Sequence, residues 1–219
     1  MNRVRTQFVI KLLLALLVSA IPVVHLPLDW FQTFFHEFSH GLTALITGGR
    51  IHSIRIAFDA SGRCLTLGGS LPLILFSGYT GSALWGSLIY LSVSARRAKA
   101  IALSLSLFVT LVGLLWVRDW ITPWILLTIV AMFLLAYRYG NRKWTHHFVE
   151  FVGLYVVLEA LRSPFYLLDG ESVGDGSDLA ELTYLPEIIW IVVWAMLAMS
   201  CILLLYKHGK RQSGNAKKR

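Results

Sequence analysis

Apolar residues run along this chain in long stretches, separated by short polar or basic ones. Seven such segments stand out, at about 7–25, 28–47, 70–93, 99–117, 121–139, 148–168 and 185–206. Most approach the roughly 20 residues a helix needs to cross a hydrocarbon core. They predict an all-α polytopic membrane protein with six to seven hydrophobic segments. One interval breaks the pattern. Ile51, Ile54, Ile56 and Phe58 are β-favouring, "DASG" supplies turn residues, and "RCLTL" follows. That order predicts a short β-hairpin after the second segment. The third segment carries Gly78, Gly81 and Gly86 with Ser77, Ser82 and Ser87. Small residues let another backbone approach closely in lipid, so tight helix packing is expected there.

Composition agrees with the pattern. Of 219 residues, 56% are hydrophobic and only 15% charged, and mean hydropathy is +0.65. A soluble domain carries about a quarter charged residues, so a soluble enzyme is excluded. The expected organisation is a membrane-embedded domain over 1–206 and a basic cytoplasmic tail over 207–219. The start, "MNRVRTQFVIKLLLALLVSA", has a basic then an apolar region like a secretory signal. Its apolar run continues through "IPVV", so an uncleaved signal anchor is expected. Cys64 and Cys201 stand alone and read as structural thiols.

The net charge of +8 changes the topology more than the class. Basic residues cluster at Arg3 and Arg5, Arg96 to Lys99, Arg138 to Lys143 and Lys207 to Arg219. Short clusters between apolar runs mark cytoplasmic loops. They do not interleave with stacking aromatics in a polar domain, so nucleic acid is not an expected partner. The lipid bilayer is, with the tail suited to anionic headgroups. Placing both Arg3 and Arg96 in the cytoplasm requires an even number of crossings between them, whereas three segments intervene. Either one of the first three segments does not cross fully or the N-terminus breaks the charge rule; the segment at 28–47, short and polar at its centre, is the best candidate for incomplete crossing.

That same segment holds the chemistry. "WFQTFFHEFSHGLTALITGG" carries His36, Glu37 and His40 at membrane length. A charged side chain at a helix centre in the membrane costs about 2.5–3.5 kcal/mol, so these residues need a reason. "HEFSH" fits His-Glu-x-x-His. On a helix, residues four apart share one face, so both imidazoles can hold one metal ion while Glu37 reaches a water beside it. Zinc, with four-fold coordination and one position left for water, is the expected ion. A third protein ligand is then required. The late candidates are Glu150, Glu159, Asp169, Asp175 and Asp178, with His146 and His147. The histidine pair follows "RK" and reads as a solvated membrane edge. Glu150 and Glu159 suit a structural role, pairing with Arg162 or a polar path. Asp178 also reads as a helix cap.

These residues resemble a known family. "FHEFSHGLTALITGG", a hairpin, a glycine-rich segment and a late "LLDG" are similar to the site-2 protease family of intramembrane zinc metalloproteases. The nearest resemblance is to its small bacterial peptidase-like branch, from about Trp30 to Trp194. The resemblance implies His36 and His40 as zinc ligands and Glu37 as catalytic base. It implies Asp169, within Leu168-Asp169-Gly170, as third ligand, with Asp178 as the alternative. Ser163 precedes Pro164 where the fuller family pattern has an asparagine. No stretch is long enough for an inserted PDZ-like or CBS-like domain. The expected activity is hydrolysis of peptide bonds in transmembrane or membrane-associated substrates, in the bacterial inner membrane. An inactive protease-like scaffold or regulator, and a small transporter, are the alternatives.

Overall fold

The computed structural model describes residues 3–169 and 174–216. The order is α1 (Arg3–Ser19), α2 (Leu26–Ile46), β1 (Arg50–Ile56), β2 (Gly62–Leu67), α3 (Leu71–Ser92), α4 (Ala98–Trp116), α5 (Thr122–Tyr139) and α6 (Arg142–Arg162). A 3₁₀ helix (Ser163–Asp169), α7 (Asp175–Thr183) and α8 (Glu187–Ala216) follow. Each of the seven apolar segments is thus largely helical. Among the described residues, however, only Ala98–Trp116, Thr122–Tyr139 and Glu187–His208 are both long and apolar enough to cross a membrane. The reason lies in the other helices' side chains. Lys11 interrupts α1, which has 17 residues. Asp29, His36, Glu37 and His40 interrupt α2, glycine and serine dilute α3, and five charged residues lie on α6.

Helix α6 is the centre of the bundle. From Val152 to Ala160 every residue is buried, as befits a helix enclosed on all sides. Helix α3 crosses it at Gly86 and Gly153. A Cβ on either would stand 2.6–2.7 Å from the other's carbonyl oxygen. In lipid, van der Waals fit and not exclusion of water holds helices together, so this contact requires glycine on both sides. On the other side of α2, Phe31, Phe34, Phe35 and Phe38 are buried against Phe108 of α4 and Phe133 of α5.

The hairpin forms as the β-favouring pattern predicts. β1 and β2 pair antiparallel from Arg50 opposite Leu67 to Ile56 opposite Gly62, with an irregularity between Ile51 and Ser53. Its position is set by its apolar face and by hydrogen bonds. Ile51, Ile54 and Ile56 are buried. Ile54 bridges to Val117 beyond α4, and the Ile56 N–H donates to Thr122 Oγ1 at 2.8 Å. At its turn, Thr33 donates to the Ala60 carbonyl at 2.7 Å, and Trp30 Nε1 donates to that of Phe58 at 3.3 Å. The hairpin therefore lies along α2, with β2 beside the helix face that carries Glu37.

Candidate metal centre

The i, i+4 spacing on α2 stacks His36 and His40 at 4.6 Å between ring centres, nearly perpendicular. Two contacts orient them. His40 Nδ1–H donates to the Ile74 carbonyl at 2.7 Å, leaving Nε2 as the lone-pair nitrogen. The Tyr79 ring packs edge-on to His36 at 4.5 Å. Helix α3 comes this close because residue 78 is glycine. A Cβ there would lie 2.6 Å from both imidazoles.

The third donor comes from α7. Gly174, at φ 123°, makes the turn into that helix, a backbone conformation suited to glycine. Asp175 then opens the first turn, where the helix dipole favours an anion. Leu179 of α7 is buried with Leu75 of α3 and Trp194 of α8, and Trp194 Nε1 donates to the Phe76 carbonyl at 3.1 Å. That anchor brings Asp175 Oδ2 to 3.0 Å from His36 Nε2 and 3.2 Å from His40 Nε2. Burial opposes the charge on Asp175, but the two imidazoles, when protonated, outweigh it and hold the carboxyl well below the usual carboxylate range.

These three donors fit a zinc ion. Four ligands at about 2.0 Å from zinc stand about 3.3 Å apart in a tetrahedron, close to the separations found. Asp175 Oδ2 and His36 Nδ1 are buried without an aligned hydrogen-bond partner. The orphaned carboxylate oxygen is consistent with donors facing a common ion and not one another. The chemistry of the set, two imidazoles and one carboxylate, also suits zinc with one position open to water.

Glu37, beside the first histidine, is buried and faces the hairpin. The Cys64 backbone N–H lies beside its carboxylate. Gly62 makes room for it: a Cβ there would lie 2.3 Å from Glu37 Oε1. Burial, and then the nearby Glu37 carboxylate, push the Cys64 thiol up to about 12, so Cys64 is no nucleophile at neutral pH. His36, Glu37, His40 and Asp175 share a cavity of about 900 Å³, and β2 contributes Gly62, Arg63, Cys64 and Thr66 to its wall. Asp29 and Glu159 lie on the same wall; Glu159 pairs with Arg162 at 2.8 Å, one of the roles its sequence position suggested.

The sequence profile of the Peptidase M50B-like family matches residues 9–205. The chain belongs to that family. Neither curated proteins nor solved structures yield a match to it. In this M50B-like chain, a membrane-peptidase assignment joins the resemblance carried by the His-Glu-x-x-His segment to the geometry above.

The resemblance implied Asp169, with Asp178 as the alternative; the carboxylate found beside the two histidines is that of Asp175. Among the described residues it is Asp175 that joins His36 and His40 with all ligand atoms within 4.8 Å. Asp178 lines the same cavity but lies outside that group. It sits inside the first turn of α7 and does not cap the helix, because α7 begins at Asp175. Asp169 ends the 3₁₀ helix, and its side chain lies outside the described residues. Asp175 was visible in the sequence as one of five acidic candidates. Its distinguishing signal is its place at a helix start after a glycine. The roles of Tyr79, the Ile74 carbonyl and the Cys64 N–H had no local signal, because all three come from elements other than α2.

Proposed function

We propose that this chain is a zinc-dependent intramembrane endopeptidase, hydrolysing peptide bonds in transmembrane or membrane-associated substrates. The observation that carries this reading is the convergence of His36 Nε2, His40 Nε2 and Asp175 Oδ2 beside Glu37 in one cavity. Family membership supports the peptidase chemistry. His36, His40 and Asp175 would hold a zinc ion, which when bound would supply a Lewis acid and lower the pKa of a water toward about 7. Glu37, beside the Cys64 N–H, would take a proton from the water and return it to the leaving amine. Among the described strands β2 pairs with β1 alone, which leaves its other edge free, and β2 lines the cavity beside Glu37. An extended substrate segment can lie along such an edge through backbone hydrogen bonds, which demand little sequence. A helical substrate must first unwind locally. The proposed setting is the bacterial inner membrane, by resemblance.

The test is cleavage of a purified single-span membrane protein in proteoliposomes. Glu37→Gln should lower turnover by about 10²–10⁴-fold, the usual worth of a general base, with one zinc per chain retained. Unchanged turnover would refute Glu37 as the base. Zinc bound by a wild type that cleaves nothing would instead support a protease-like scaffold.

A further inference from the structure

The exposed face of the hairpin carries a second feature, which meets the wall of the large cavity at Arg63. Arg55 of β1 stands directly opposite Arg63 of β2. Like charges directly opposite weaken an antiparallel pair. Arg118, from the turn after α4, joins them with His52, Ser53 and Leu65 around a separate cavity of about 140 Å³. All three arginines are exposed. Among the described residues, none has a carboxylate within ion-pair distance. Arg118 is held in place by donating to the Val117 and Leu115 carbonyls. Those two bonds leave other guanidinium donors for a ligand.

The depth of this cluster follows from the helices that flank it. Helices α4 and α5 are both long and apolar enough to span, and only residues 117–121 join them. A turn between two spans lies where hydrocarbon gives way to headgroups. Trp120 within it and Trp124 just after it are 74% and 63% exposed, and tryptophan concentrates at that boundary. The Ile54–Val117 bridge and the Ile56–Thr122 hydrogen bond hold β1 at the same level.

We propose that Arg55, Arg63 and Arg118, with His52, form a site for the phosphate of an anionic phospholipid headgroup. Guanidinium groups grip phosphate through paired N–H donors, and a bound phosphate offsets the Arg55–Arg63 repulsion. The surplus of positive charge selects anionic over zwitterionic lipid. Because β2 also carries Gly62 and Cys64 against Glu37, an occupied site steadies the hairpin beside the metal centre. The binding itself does not depend on the peptidase reading.

Native mass spectrometry of the full chain in mild detergent, titrated with phosphatidylglycerol or phosphatidylcholine, tests this. Wild type should retain phosphatidylglycerol preferentially. Arg55→Gln with Arg63→Gln should weaken that retention about tenfold or more, at roughly 1 kcal/mol per cation. Arg96→Gln with Arg97→Gln should leave it unchanged. Phosphatidylglycerol should also raise the melting temperature of wild type but not that of the Arg55/Arg63 variant. Equal retention of the two lipids, or equal losses in both double variants, would overturn the proposal. So would displacement of the lipid by millimolar inorganic phosphate, which would mark a free-phosphate site. A variant that melts lower without lipid and still gains stability from phosphatidylglycerol would show a structural role for the arginines and also overturn it.

Discussion

His36, His40 and Asp175 form one trio of two imidazoles and a carboxylate, and His146, His147 and Glu150 form another. In each, the ligand atoms lie within 4.8 Å of one another. The trios are built differently. The first joins two elements more than a hundred residues apart, presents both imidazoles through Nε2 and opens on the large cavity. The second comes from consecutive turns of α6. His146 uses Nε2 and His147 uses Nδ1, at 3.3 and 3.4 Å from Glu150 Oε2. That same oxygen is paired with Lys11 of α1. An ammonium group therefore already neutralises the carboxylate a metal ion would use, and its charge opposes a cation nearby. Donor type and spacing make both trios eligible. The surrounding charge and the access route separate them.

The comparison can be broken outright by zinc stoichiometry of purified protein. His40→Ala or Asp175→Asn should strip the metal nearly completely, whereas His146→Ala and Asp178→Asn should leave about one ion per chain, as three donors plus water define the site. Metal lost through His146 and kept without His40 would reverse the assignment. Next in size is Lys11→Ala. Removing one partner of a buried ion pair leaves the other charge uncompensated, a loss of about 3 kcal/mol, readable by unfolding in detergent. If the lysine is what separates the trios, this variant should also take up a second zinc. A count that stays at one would show that the α6 geometry is itself unfit.

Smaller effects sharpen the picture. Gly78→Ala would push a methyl group into both imidazoles of the first trio. Overpacking of that kind costs about 1–3 kcal/mol, so zinc affinity should fall about tenfold, measured by competition with a chromogenic chelator. An unchanged affinity would mean that α3 yields freely. The smallest effect belongs to His147→Ala. Its side chain is 45% exposed, and its loss should shift stability by no more than about 0.5 kcal/mol. A larger shift in thermal unfolding would reveal a role for the second trio that its geometry does not show.

The apolar pattern identified helices at the right places but not how many of them span. Polar residues inside α1, α2, α3 and α6 are tolerated because these helices pack on one another. Lys11 meets Glu150 and Tyr155 donates to Asp29 at 2.7 Å. Such pairs join residues far apart in sequence, so each half reads alone as an interruption.

What the sequence by itself determined about this protein was local. Four-residue spacing on one helix sets two imidazoles side by side, and a β-favouring run, a turn and a second run make the hairpin. Both follow from backbone geometry over a few residues. Only the tertiary structure decided which carboxylate joins the histidines and which trio stays open to an ion. Asp169, Asp175 and Asp178 are alike in type and lie within ten positions. Asp175 reaches the site because Leu179, Leu75 and Trp194 bury one another and fix the rotation of α7 against α3 and α8. No pattern confined to residues 169–178 encodes that contact.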